Sequence, residues 1–323
     1  MKTTERIYVG LLAASIILIL AILLVILGDV TIHGASHVTW TFITESPREG
    51  LSAGGIWPAI FGTTLLVLLM TIAAVPLGVA TAVYLHEYTP AETPSQAWKR
   101  YRKEHSLKML RTFFLAVLAK ITRAAVANLA GVPSIVFGLF GLGFFIQFVG
   151  RAMDRTLHEP GEIVWAQGNL LWAALTLALL TLPTVIVATE EALRTVPPDL
   201  RAASIALGAT RWETIRRIVL PSALPGILTG AILGISRGAG EVAPILFTGA
   251  AYYLPYLPNS LHSQFMHLGY HVLILSTQSP DVEATKPVLY GTVFVLLVLT
   301  FLLNLAGVLI RARTRSRLRS GGG

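Results

Sequence analysis

Arg237 and Glu241 carry the charge inside a stretch, Leu224 to Thr248, that is otherwise apolar or small. Read as continuous helix, a spacing of four residues sets both on one face, about 6 Å apart along the axis. A guanidinium offers a planar fork of donors that matches the oxygens of a tetrahedral oxyanion, and it does not readily lose its proton. The pair has two readings. It is a structural ion pair that offsets the insertion of charge into lipid, which costs at least about 2.5–3.5 kcal/mol per residue. Or it is an anion site in which Glu241 holds Arg237 between binding events and yields it when the anion enters. Ser236 and Thr248 would add hydroxyl donors to such a pathway, and Asn128 and Ser134 further polar groups from an earlier segment.

Other chemistry does not converge. With no cysteine, disulfides, Cys-based zinc sites and thiol nucleophiles are excluded. His267 and His271 have i,i+4 spacing with His262 nearby, but no carboxylate intervenes as in H-E-x-x-H, so no metal site is assigned. No Ser/His/Asp arrangement falls within the apolar stretches, and no catalytic residue is assigned. No glycine precedes a lysine, so the G-x-x-x-x-G-K-[ST] phosphate cradle is absent and any ATP hydrolysis must come from another subunit.

The elements that position the charged pair are membrane helices. Of 323 residues, 54% are hydrophobic and 13% charged, against about 25% charged in ordinary globular chains. Six stretches reach the roughly 20 apolar residues that cross a bilayer: Ile7–Leu27, Ile60–Leu85, Ala124–Val149, Leu170–Thr189, Leu224–Thr248 and Val288–Ile310. The expectation is an all-α integral membrane protein. Residues 1–59 hold the first helix and an outer loop, 60–310 the core with a charged insertion at 86–123 and a loop at 190–221, and 311–323 a basic tail. Lys2 and Arg6 precede the first stretch as in a signal peptide, but the apolar run is too long and no small-x-small site follows directly, so it reads as retained. Met266–Ser276 is too short to cross and reads as interfacial.

Six crossings put both termini on one side. Cations concentrate in two loops and the tail: Lys99, Arg100, Arg102, Lys103, Lys108, Arg111, Lys120 and Arg123; Arg194, Arg201, Arg211, Arg216 and Arg217; Arg311, Arg313, Arg315, Arg317 and Arg319. The positive-inside rule places these, and both termini, in the cytoplasm. Orientation and headgroup contact account for the formal charge of +8 without nucleic acid. Trp57, Tyr252, Tyr253 and Tyr256 fall near the outer boundaries. Pro76, Pro133 and Pro183 interrupt three spans as candidate hinges. Gly226, Gly230, Gly234 and Gly238 leave one helical face nearly bare, which permits close packing and also suits a face that slides or rocks.

The loop after the fourth span is patterned. Pro197 and Pro198 suit a helix start, Gly208 suits a left-handed helix end, and Thr210-Arg211-Trp212-Glu213 is a capping box. Helix, glycine corner and second helix follow, with Ile205, Leu207, Trp212, Ile215 and Ile218 set among arginines. Such a pair rests on the membrane surface or forms a knob for a cytoplasmic partner.

Ala202-Ala203-Ser204, Gly208, Ile218 and Leu220-Pro221 resemble the EAA loop of bacterial ABC importer permeases. The glycine and all that follows are at the family spacing, while Ala202 stands where the family has glutamate. Asn128–Gly141, Thr189-Glu190-Glu191-Ala192-Leu193 and Arg237–Thr248 are similar to the phosphate permeases of the PstA type, with Val242 in place of a threonine. The likeness runs from about Gly54 to the last span. It implies an ABC importer type I permease fold in a bacterial inner membrane, moving inorganic phosphate by alternating access. The implied partners are a second, PstC-like permease, two PstB-like ATPase subunits that use ATP and Mg, and a PstS-like phosphate-binding protein; the chain itself binds no cofactor. A permease for sulfate, molybdate or another oxyanion is the alternative within this class, and an ion channel or intramembrane enzyme the alternative outside it.

Overall fold

The computed structural model describes residues 3–48, 53–89, 93–104 and 107–320. Lys2 and Gly321–Gly323 lie outside the described residues, as do the side chains of Arg6, Lys103, Lys108, Arg317 and Arg319. The chain is helical almost throughout. It runs α1 (Thr3–Ala35), α2 (Trp40–Thr44), a two-stranded hairpin β1 (Pro47–Arg48) and β2 (Ala53–Gly54), α3 (Trp57–Val83), α4 (Pro94–Glu104) and α5 (Leu107–Ala130). Then come α6 (Ser134–Phe140), α7 (Arg151–Leu157), α8 (Leu170–Arg194), α9 (Pro198–Ala206), α10 (Arg211–Thr214), α11 (Leu220–Gly240), α12 (Ile245–Thr248), α13 (Leu268–Thr277) and α14 (Val282–Ser320). Widened π turns extend α3 over Tyr84–Tyr88, join α6 to α7 over Gly141–Gly150, and lead into α11 over Ile215–Val219.

Among the described residues seven helices are long and apolar enough to cross a membrane, where the sequence reading has six. The stretch read as one span from Ala124 to Val149 is two helices broken at Gly131–Pro133, because Pro133 lacks an N–H and turns Val132 away from helical geometry. Gly131 and Val132 instead donate to Asn128 and Leu129 in a tight turn.

Two compact units form. The smaller comprises Met1–Gly62, Ala251–Leu257 and Met266–Leu299. In it α1 meets α14 where Gly34 sits against the backbone of Tyr290, whose hydroxyl donates to Asp29 at 3.0 Å. Phe42, Ile56, Leu254, Met266, Leu268 and Ile274 form its core. His267 caps α13 by accepting the Gly269 N–H, and His271 lies one turn on; both are buried, and burial pushes both imidazoles down to about 4.

The larger unit, Thr63–Ala250 with Pro258–Phe265 and Thr300–Gly323, is built around α8. Asn169 starts this helix by accepting the Trp172 N–H. At the same end the buried Asp154 carboxylate accepts the backbone N–H groups of Val164, Trp165 and Ala166, tying α7 to the loop that enters α8. The route from α6 through the π turn to α7 passes along the first part of α8: Gly138 lies against Pro244, Gly141 against Thr176 on α8 and Gly150 against Trp165 just before it. Helix α5 meets the opposite end. Ala119 joins the apolar cluster of Leu85, Leu193 and Val196, and Arg123 donates to the Leu85 carbonyl at 3.0 Å and lies 3.7 Å from Glu190. This end, which also carries Arg194, Arg201, Arg211, Arg216 and Arg217, is the basic end of the bundle.

The closest approach is between α11 and α8. Gly226 faces Ala192, Gly230 Ala188, Gly234 Val185, and Gly238 Met70 and Thr181. A Cβ on Gly230 would stand 2.7 Å from that of Ala188, so backbone meets backbone with no room for a side chain. Helix α14 runs antiparallel along a second face of α11, Asn304 beside Ser236, Gly307 beside Ile232 and Arg311 beside Thr229.

Two outcomes are expected. Gly230→Val forces α8 and α11 apart and costs about 1–3 kcal/mol, read as a lower melting temperature in detergent, whereas Gly10→Val, at a position open on all sides, leaves it unchanged. Second, between pH 6.5 and about 4 the unfolded histidines bind protons that the buried ones refuse. Stability therefore falls as pH is lowered through that window, by up to about 3 kcal/mol per histidine. A pH series of melting temperatures checks this: His271→Leu should remove roughly half of the slope, and an unchanged slope would sink the assignment.

Candidate functional site

Two sites emerge on the larger unit, one at the basic end and one halfway along the bundle. The first is the elbow of α9 and α10. Pro198 opens α9, Gly208 turns the chain at φ +87°, and Thr210 with Glu213 closes a capping box on α10. Ser204 and Thr214 hydrogen-bond across the elbow at 2.9 Å and hold its angle. Its underside is apolar and buried: Ile215 and Val219 pack with Leu85, Leu193, Val196 and Ala223. Its outer surface is also apolar yet bare, with Leu207 89% exposed and Ile205 and Trp212 more than half exposed. Ala202 and Ala203 lie on that exposed side, and Ala203, Gly208 and Ile218 line a groove of about 510 Å³. Leu220 and Pro221 begin α11. Exposed leucine and tryptophan on a folded elbow mark an interface rather than a core.

Sequence reasoning missed what seats this elbow. Glu87, in the π turn that extends α3, is buried and accepts from Arg201 through Nε at 3.2 Å and Nη2 at 2.9 Å. The same guanidinium donates to the carbonyls of Val196 at 2.7 Å and Leu193 at 2.9 Å, which closes off the end of α8. Arg211 donates to the Glu87 carbonyl and lies over the Tyr88 ring at 5.2 Å. One arginine fork thus joins the ends of α3, α8 and α9. Arg201 looked like one cation among many in a basic loop; the signal was a lone glutamate, Glu87, at the end of an apolar span.

The second site is the end of α11. Helix α11 stops at Gly240 instead of continuing to Thr248, and Glu241 is extended at φ −81°, ψ 126° with its N–H on the Gly238 carbonyl. Pro244 and the glycines Gly238 and Gly240 explain the stop, since one lacks a donor and the others carry no side chain to hold a helix. The four glycines pair with Ala192, Ala188, Val185 and Thr181 in turn, so Gly238 is level with the middle of α8 and the stop lies midway along the bundle. Arg237 stands in the last turn, where a helix C-terminus favours a cation. Its Nε is 3.7 Å from the Glu241 carboxylate, with 44% of its side chain exposed against 22% for Glu241. An open guanidinium held loosely by one carboxylate can exchange that partner for a mobile anion.

The other polar residues read from the sequence do not join this pair. Ser236 is turned to α14, its hydroxyl shared by the Ile232 carbonyl and Asn304. Thr248 is buried beside Gly141 and donates to the Pro244 carbonyl. Asn128 and Ser134 flank the corner between α5 and α6. His262 lies against Trp165, and among the described residues no group of three or more His, Asp or Glu could hold a metal.

Removing one side of the Arg201–Glu87 pair leaves a half-buried charge. Glu87→Gln should cost about 1–3 kcal/mol and speed tryptic cleavage after Arg216 and Arg217; unchanged melting and cleavage would show that the pair does not seat the elbow.

Known proteins of similar sequence and similar fold place the chain in a family. Residues 112–320 match the family model described as binding-protein-dependent transport system inner membrane component. A probable ABC transporter permease protein, YqgI of Bacillus subtilis, is 30% identical, with 94% of each chain covered. The phosphate transport system permease protein PstA 1 of Mycobacterium tuberculosis is 33% identical over 86% of this chain and 77% of its own length. The fold is that of a bacterial alginate ABC transporter chain, with a TM-score of 0.57, 15% identity and 98% of each chain covered. This chain therefore belongs to the binding-protein-dependent transport system inner membrane component family and is a multi-pass permease subunit of an ABC importer.

Proposed function

We propose that this chain imports inorganic phosphate as one of two paired permeases, the second being PstC-like. The basic end faces the cytoplasm, as the positive-inside rule requires. On this reading α5, held at that end by Ala119 and Arg123, does not cross, the other six long apolar helices do, and both termini lie in the cytoplasm. The elbow from Pro198 to Pro221 docks on a PstB-like ATPase subunit that supplies ATP and Mg, and a PstS-like binding protein delivers phosphate at the other face. ATP-driven closure of the ATPases pushes the elbow and switches the pathway from inward- to outward-facing.

The observation that carries this reading is the stop of α11 at Gly240, with Arg237 open in its last turn and Glu241 3.7 Å away. Irregular backbone at membrane depth is tolerated where it is buried in protein or lines a cavity, and a guanidinium there suits a phosphate group. Glu241 keeps the site from trapping its cargo. The name of the mycobacterial relative supports phosphate over other oxyanions.

Vesicles holding the whole complex test the proposal. ATP-dependent uptake of radiolabelled phosphate should resist a sulfate competitor. Arg237→Gln should lower it at least about tenfold, the loss of one charge-assisted hydrogen bond, while the ATPase still co-purifies. Normal uptake by the variant would overturn the role of Arg237, and sulfate displacing phosphate would overturn the substrate.

A further inference from the structure

Beyond the cargo pathway, the far end of α14 and the first turns of α11 enclose a groove of about 870 Å³. It is lined by Pro225, Gly226 and Thr229 on α11 and by Arg311, Arg315 and Ser316 on α14. Arg311 and Arg315 are one turn apart and share a face. No carboxylate lines the groove, and neither arginine has one as a partner among the described residues. Arg311 is placed by a fixed support: the Thr229 hydroxyl donates to the Pro225 carbonyl at 2.9 Å and accepts from Arg311 Nη1 at 3.1 Å. Among the described residues one of its five donors is used, which leaves N–H groups of the fork for a ligand. Gly226 adds no side chain to this wall.

Depth points to the ligand. Thr229 is eight helical residues from Arg237, about 12 Å nearer the basic end. With Arg237 midway along the bundle, Arg311 falls about 12 Å from the middle, just inside the hydrocarbon boundary at about 15 Å, and Arg315 about 6 Å further out than Arg311. The two helix positions therefore bracket the hydrocarbon boundary, from which long guanidinium side chains reach phospholipid phosphates just outside it, on the leaflet that the proposed orientation makes cytoplasmic and anionic. Arginines that merely snorkel need neither a hydroxyl support nor a shared hollow.

We propose that the α11–α14 groove binds the phosphate group of an anionic phospholipid, with Arg311 and Arg315 as the ligating forks and Thr229 as the residue that positions Arg311. The bound lipid wedges the end of α14 against α11 next to the glycine contact with α8. This assignment is independent of which oxyanion the transporter carries.

The test uses the assembled transporter in detergent, with dioleoyl-phosphatidylglycerol as probe and native mass spectrometry as readout. Wild type should retain the lipid in preference to dioleoyl-phosphatidylcholine. Arg311→Gln with Arg315→Gln should lower retention about tenfold or more, and Arg313→Gln, exposed and outside the groove, should leave it unchanged. Equal retention by wild type and the double variant overturns the site. Displacement of the lipid by millimolar inorganic phosphate overturns the lipid identity and assigns the groove to free phosphate. If the double variant does not assemble, Thr229→Val replaces it: severalfold weaker retention supports the site, and unchanged retention overturns it.

Discussion

The contact of α11 with α8 over four glycines governs the rest of the larger unit. In lipid no hydrophobic force pulls helices together, so association depends on close packing, and bare backbone at Gly226, Gly230, Gly234 and Gly238 provides it. That contact sets the height of α11 in the bundle and with it the level at which the helix stops. It also fixes the rotation of α11. One face goes to α8, a second to α14 through Thr229, Ile232 and Ser236, and the third carries Leu233 and Arg237 into the open.

The basic end gathers the other constraint. The ends of α3 and α8, the elbow and the start of α11 meet in one apolar cluster around Leu85, Leu193, Ile215 and Val219. Two π turns, Tyr84–Tyr88 and Ile215–Val219, contribute Leu85, Ile215 and Val219 to this cluster. Such turns are rare and often mark functional positions; here one of them offers Glu87 to Arg201. On the proposed docking, a push on the exposed leucine and tryptophan of the elbow would reach α11 through the continuous chain and α3 through that ion pair. The elbow is apolar and bare on its outer side, and an apolar cluster together with one ion pair holds it where it meets the bundle.

Much of this was legible residue by residue. The capping box at Thr210 and Glu213 and the left-handed Gly208 are local devices, settled by a few neighbouring backbone groups, and the structure contains both. Hydropathy located the apolar stretches but merged α5 with α6, since a three-residue break at Gly131–Pro133 hardly alters an average taken over some 20 residues. The same blindness carried the fifth stretch past Gly240. Ser236 shows the limit of spacing arguments: beside Arg237 in sequence, it points about 100° away around the helix and is taken up by Asn304.

The sequence by itself determined that this is a membrane bundle with a basic end, a glycine-cornered elbow and one deep arginine, because composition, turn chemistry and periodicity act over short distances and survive without tertiary information. Only the tertiary structure decided that α11 ends halfway along α8, that Arg237 is open, that Arg201 reaches Glu87 over 114 positions of chain, and that Arg311 shares a hollow with Thr229. Those pairings join residues far apart in the chain, and which partner a side chain finds depends on how helices are rotated and stacked. That in turn is set by packing over whole helix faces, which no local pattern encodes.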